Sequence, residues 1–212
     1  MIFLIDFDKT ISKQCSCTTM IEKFKISCTD EIEEQWEIGA LSTPAATKEI
    51  LKVLRMTEPE LIETINSVEI DSSFIQFIKF CKQNDYEYAI VSDGFFLLIT
   101  TILSKYIDQP IKIFANQLVC CDSRWTAHFP YHSDESPNLG VCKSQIVKQY
   151  QQQSNQPVAF IGDGYTDYQA SEVADIVFAK DKLSVYCQEH GIPYIPYNDF
   201  NDIITYVKNN TI

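Results

Sequence analysis

MIFLIDFDKTIS, residues 1–12, is the stretch on which the reading of this chain turns. Its apolar residues 2–5 show no alternation, as in a strand buried on both faces. Asp6 and Asp8 follow at once, with only Phe7 between them. Carboxylates this close oppose each other's ionisation, so the pair requires a cation, a shared proton or open water. The strand is expected to end here, and the chain to bend between the two aspartates so that both serve one site.

Working outward, residues 17–70 change character. The segments TDEIEEQWEIGA, PAATKEILKVLR and EPELIETINSV carry helical spacing and almost no strand signal. Thr57 with Glu60 three residues on reads as a capping box, with Pro59 in the first turn. From Asp71 strands and helices alternate. SSFIQFIKFCKQN is a helix with Phe74, Ile75, Ile78 and Cys81 on one side. YEYAIVS is a strand, and DGFFLLITTILSKY an apolar helix. IKIFANQLVCC and RWTAHFPY read as strands or a hairpin. CKSQIVKQYQQQ is helical, PVAFIG a buried strand, YTDYQASEVA a helix and DIVFA a strand. KLSVYCQEHG and FNDIITYVKNN are closing helices. The alternation predicts an α/β fold, a parallel sheet with helices on both faces. Residues 1–14 and 71–212 form its core, and 15–70 a small helical insert.

In open sheets of this kind ligands lie beyond the carboxyl ends of the strands. Those ends carry Asp6 and Asp8, then Ser92–Asp93–Gly94, then Gly162–Asp163–Gly164. A set holding Asp6, Asp8 and Asp163 repels itself without a cation, and hard oxygen donors free of Cys and His favour Mg²⁺. With Mg²⁺ bound, one aspartate can attack phosphorus while the other handles protons. Ser92 can donate its hydroxyl to phosphate. The amides of Asp93 and Gly94 are expected to open a helix whose N-terminus favours anions. Lys143, heading its helix, is the expected phosphate-binding lysine, ahead of Lys148.

The order D-F-D-K-T, S-D-G, a downstream Lys and G-D-G-Y-T-D resembles the haloacid dehalogenase superfamily of phosphohydrolases, over nearly the whole chain. The resemblance implies a Rossmann-like core and a helical cap over 15–70. It implies Asp6 as nucleophile through an aspartyl-phosphate and Asp8 as acid/base. Mg²⁺ would be held by Asp6, the Asp8 carbonyl and Asp163, with Asp167 in support. Ser92 and Lys143 would bind phosphate, and Thr10 would steady the loop. Within the superfamily the chain is similar to the phosphoserine-phosphatase-like branch. GVCKSQIV, FIGDGYTDYQAS, VFAKDKL and IPYNDF carry a closer likeness to methionine-salvage phosphatases acting on 2-hydroxy-3-keto-5-methylthiopentenyl-1-phosphate. Phosphoserine phosphatases resemble one another in a Glu that meets the substrate amine. Cys15 holds that place here, which disfavours phosphoserine. Other small-metabolite phosphatases remain alternatives, as does a catalytically silent binding protein on the same fold.

Composition bounds the rest. The 212 residues are 45% hydrophobic and 22% charged, enough for one sizeable core. The net charge of −12 repels nucleic acid and anionic membranes, so an anionic substrate needs local positive charge in the site. No run is long enough for a membrane span, and residues 1–5 lack the basic flank of a signal peptide. A cytoplasmic enzyme acting on a small phosphorylated metabolite is expected, and a homodimer is compatible with it. The eight cysteines show no zinc spacing and read as reduced thiols. Arg55 reads as a surface residue, and Trp36 as part of the insert core.

Overall fold

The computed structural model describes residues 1–24, 29–37, 40–121 and 124–210, apart from the side chains of residues 33 and 37. Cys28 lies outside them. Among the described residues, seven strands make one sheet, in the order β4-β3-β2-β1-β5-β6-β7. These are β1 (Ile2–Ile5), β2 (Glu87–Phe95), β3 (Lys112–Cys121), β4 (Arg124–His128), β5 (Val158–Gly162), β6 (Ile176–Ala179) and β7 (Ile195–Pro196). Every pairing is parallel except the antiparallel β3–β4 edge.

β1 is central because both of its faces are apolar. Phe3 and Ile5 join one core cluster, Ile2 and Leu4 the other. The first cluster is covered by α5 (Ser73–Gln83) and α10 (Phe200–Asn209). The Phe77 ring meets Phe3 edge-on at 5.0 Å and tilts on Phe200 at 5.2 Å. α7 (Lys143–Gln153) and α8 (Tyr168–Ser171) supply Ile146, Val147, Tyr150 and Ala170 to the second. Phe77 belongs to the buried face of α5, whereas Ile75, expected on that face, is only partly buried at its flank.

Four helices follow β1: α1 (Ser16–Lys23), α2 (Thr29–Glu37), α3 (Thr43–Val53) and α4 (Glu58–Ile65). α4 opens on the expected box, Thr57 accepting from the Glu60 amide while Glu60 accepts from the Thr57 amide. A bridge between Ser12 and Ile70 closes the base of this helical segment.

The register matters most. Ile5 lies opposite both Ile90 and Ile161, so Asp6 leaves β1 at the height of Val91 on β2 and Gly162 on β5, next to Ser92 and Asp163. Strand order reverses beside β1, which places the site at the switch point between β1 and β5. No helix among the described residues is long and apolar enough to cross a membrane.

Two expected helices differ. The stretch DGFFLLITTILSKY becomes helical only at Phe96, and α6 spans Phe96–Leu103. Asp93 and Gly94 belong to β2, whose pairing with β3 resumes at Phe95 opposite Asn116. The Asn116 amide bonds the Asp93 carbonyl at 2.7 Å and holds the chain extended. Neither Asp93 nor Gly94 therefore sits at a helix N-terminus, and Ser92 caps nothing. YTDYQASEVA, in turn, is split into a 3₁₀ turn at Tyr165–Asp167 and the single-turn α8. The Asp167 carboxylate turns back to accept from the amides of Asp163 and Gly164, which tightens the chain there. The two-residue β7, unread from the sequence, precedes α10. α9 (Asp181–His190) ends at Gly191, whose φ of 66° suits glycine.

Candidate active site

The chain leaves β1 at Ile5 and turns sharply. The amides of Ile11 and Ser12 both bond the Phe7 carbonyl, at 2.8 and 2.9 Å, and Lys9 takes a left-handed φ of 61°. A turn follows β1 as expected, but it is centred on Lys9, just past Asp8. Asp6 and Asp8, two apart, would share a face on an unbent strand. In the folded chain Asp6 joins Asp163 and Asp167, the three offering carboxylate oxygens within 4.8 Å of one another. Asp8 stands outside this trio and accepts from the Ser16 amide at 2.6 Å.

All three members of the trio are buried. Asp167 is held by its two amide donors and by Lys143, whose Nζ lies 2.6 Å from Asp167 Oδ1 and 2.5 Å from Asp6 Oδ1. Lys143 also donates to Thr166 Oγ1 at 3.0 Å. Gly162 is obligatory beside it, since a Cβ there would lie 2.5 Å from Asp167 Oδ2. The hydroxyl of Thr10 donates to Asp163 Oδ1 at 3.0 Å and ties the β1 loop to the β5 loop. Lys148 is exposed and pairs with Glu135 at the surface, away from this cluster.

Burial sets the electrostatics. It raises the pKa of Asp6 well above the ordinary carboxylate range, against the pull of Lys143. It raises Asp163 to about 6, helped by the Asp167 charge. Burial works against the Lys143 ammonium, but Asp167 and Asp6 outweigh it and hold its pKa above the usual value. Three carboxylates against one ammonium leave the cluster short of positive charge. Its donors are hard oxygens at close quarters, the set that suits Mg²⁺.

On the β2 side, the Ser92 hydroxyl accepts from the Gly94 amide at 3.0 Å, leaving its own proton to donate. Gly94 packs against Asp8, where a Cβ would come within 2.8 Å of Asp8 Oδ2. Removal from water raises the Asp8 pKa, with the Ser16 bond opposing. The Asp93 side chain points away from the trio. Its Oδ1 accepts from the Val141 amide at 2.8 Å and its Oδ2 from the Thr43 hydroxyl at 2.8 Å. Arg55 is exposed and, among the described residues, donates to the carbonyls of Lys52 and Leu54. Trp36 donates its indole N–H to Thr43. The seven described cysteines are free thiols.

Sequence reasoning passed over four participants. Thr166 lay inside a motif already singled out. Asn116 is a wholly buried polar residue in a strand otherwise read as apolar. The Ser16 amide and the Thr43 hydroxyl carry no sequence signal, because the partners that define them are distant in the chain.

A family model described as "Putative Phosphatase" matches residues 1–186. A 2-hydroxy-3-keto-5-methylthiopentenyl-1-phosphate phosphatase of Bacillus cytotoxicus is 29% identical over 202 residues, 93% of this chain and 91% of that protein. Its namesake in Bacillus thuringiensis is 27% identical over 208 residues, covering 96% and 94%. Among solved structures, a phospho-aspartyl intermediate analogue of phosphoserine phosphatase superposes with a TM-score of 0.75 at 19% identity, covering 97% of each chain. A HAD family hydrolase from Salmonella enterica serovar Typhi superposes at 0.77 and 19% identity, covering all of this chain and 72% of that one. The sheet order, the carboxylates at its switch point and the match over 1–186 agree, and this chain belongs to that phosphatase family, built on the haloacid dehalogenase fold.

Proposed function

We propose that the protein is a Mg²⁺-dependent phosphomonoester phosphatase working through an aspartyl-phosphate on Asp6. One observation carries the reading: Asp6, Asp163 and Asp167 meet within 4.8 Å, with Lys143 bridging Asp6 and Asp167. Mg²⁺ held by Asp6, the Asp8 carbonyl and Asp163, with Asp167 in support, would neutralise the carboxylates and clamp a phosphate oxygen.

In the first step an Asp6 oxygen attacks phosphorus and the ester P–O bond breaks. Asp8 gives its proton to the departing alkoxide, and its raised pKa favours holding that proton beforehand. Asp8 then takes a proton from water, the hydroxide attacks the acyl phosphate, and inorganic phosphate leaves Asp6 free. Lys143 and the Ser92 hydroxyl hold the equatorial oxygens, and Thr10 keeps Asp163 in place. The helical segment 15–70 acts as a cap over this rim.

The substrate supported best is 2-hydroxy-3-keto-5-methylthiopentenyl-1-phosphate, the compound named in the Bacillus relatives. Phosphoserine fits less well. Burial lifts the Cys15 thiol to about 11, so it stays neutral and offers an ammonium no counter-charge.

The test is release of phosphate from a panel of phosphorylated metabolites with and without Mg²⁺. Activity should vanish with EDTA and return with Mg²⁺. Asp6→Asn should lose turnover by at least about 10³-fold with an unchanged circular dichroism spectrum. Phosphatase activity retained in Asp6→Asn would overturn the mechanism.

A further inference from the structure

A chain of side-chain hydrogen bonds runs from the helical segment into Ser92–Gly94, a looped interruption of β2 where its pairing with β3 lapses between Val91 and Phe95. The Trp36 indole on α2 donates to Thr43 Oγ1 at 2.9 Å. Thr43, the first residue of α3, donates its hydroxyl proton to Asp93 Oδ2 at 2.8 Å. Its backbone amide bonds the Asn138 carbonyl at 2.8 Å, anchoring the same point twice. The hydroxyl's single proton is thus given to Asp93 and one of its two lone pairs is filled by Trp36, on a residue that is buried.

Asp93 passes the contact on in two directions. Through Oδ1 it holds the Val141 amide, two residues before Lys143. Through its carbonyl and Oδ1 it holds the buried Asn116 of β3. Gly140 marks how closely these pieces pack, since a Cβ there would lie 2.6 Å from Asn116 and 2.8 Å from Asp93. Asp93 is also the residue between Ser92 and Gly94. One carboxylate therefore joins the helical segment, the Ser92 loop and the approach to Lys143. The α3 N-terminus, presented to that carboxylate, adds a favourable dipole.

We propose that Thr43 is a positioning residue: through Asp93 it couples the seating of helices α2 and α3 to the geometry of the Ser92–Gly94 loop. The proposal rests on the reading that this loop binds the phosphoryl group. With the Thr43 bond made, Asp93 is fixed from both sides and Ser92 is preorganised. With it broken, Asp93 keeps only its β3 and Val141 partners, and α2 and α3 lose their hold on the loop.

The test compares Thr43→Val, which keeps the shape without the hydroxyl, with Thr43→Ser, which keeps the hydroxyl. The first readout is amide hydrogen exchange of the peptide covering 92–95, which requires no turnover. The second is KM and kcat for p-nitrophenyl phosphate with Mg²⁺, with inhibition by inorganic phosphate. A hydrogen bond to a charged group sets the expected scale at about 10-fold to 100-fold. Thr43→Val should exchange faster at 92–95 by that factor and bind inorganic phosphate about 10-fold more weakly, with a smaller change in kcat. Thr43→Ser should return both to within about 3-fold of the unaltered protein. Unchanged exchange at 92–95 in a folded Thr43→Val, or failure of serine to restore it, would overturn the coupling. Absence of turnover in the unaltered protein would instead count against the phosphatase reading, and exchange would still decide the coupling.

Discussion

Lys143 shows how one side chain holds the site together. It is 1% exposed, and its ammonium is compensated only because Asp6 and Asp167 face it at 2.5 and 2.6 Å. Removing one partner of a buried ion pair leaves bare charge, at a cost of about 3–5 kcal/mol. Lys143→Met should therefore lower metal-free stability by roughly that amount, with Mg²⁺ recovering part of it, as read by urea denaturation with and without the ion. Equal stability of variant and parent without metal would contradict the assigned contacts. At this scale the motifs were legible: Asp6, Asp163 and Lys143 each stand at a strand end or helix start that the hydropathy pattern located. Where the carboxylates point was not legible. Asp93 is expected from sequence to serve through its amide at a helix N-terminus, yet it lies in β2 and its side chain serves Thr43 and Val141. Local sequence places a Cα but does not choose its partners.

The elements that matter most for the site are those holding β1, β2 and β5 in register. α5 braces β1 from one side, with Phe77 wholly buried between Phe3 and Phe200. Truncating a large buried aromatic costs about 3–5 kcal/mol in transfer and cavity terms. Phe77→Ala should cost that much in chemical denaturation, and a loss below about 1 kcal/mol would show that α5 does not brace the sheet as described. Element types followed from apolar periodicity, and the α4 start from its capping box, because both are local. The start of α6 did not follow. DGFFLL has the composition of a helix opening, but a bond from Asn116, 23 residues on, keeps Asp93 in the strand. A tertiary hydrogen bond overrode local preference, and the helix N-terminus moves from Asp93 to Phe95.

For the molecule as a whole, the acidic trio ties stability to pH. The folded pKa of Asp163 is raised to about 6 from an ordinary 3.8, so between those values the native state binds a proton that the unfolded chain releases. Stability then falls as pH rises through that window, and the penalty is complete above about pH 6. Asp6, Asp8 and Asp93 are raised as well and act in the same direction. In EDTA, the melting temperature of the unaltered protein relative to Asp163→Asn should decline from about pH 4 to pH 6. A difference that is flat over this range would contradict the raised pKa. The amino-acid sequence alone determined the α/β class, the order of elements and the strand ends at which the chemistry-bearing residues stand. Hydropathy period and turn chemistry act over a few residues, so those features are written locally. Only the tertiary structure decided that Asp6 meets Asp163 and Asp167 while Asp8 turns to Ser16, and that Thr43 reaches Asp93 across 50 positions. Those pairings depend on strand register and on side-chain packing between distant segments, which no local pattern encodes.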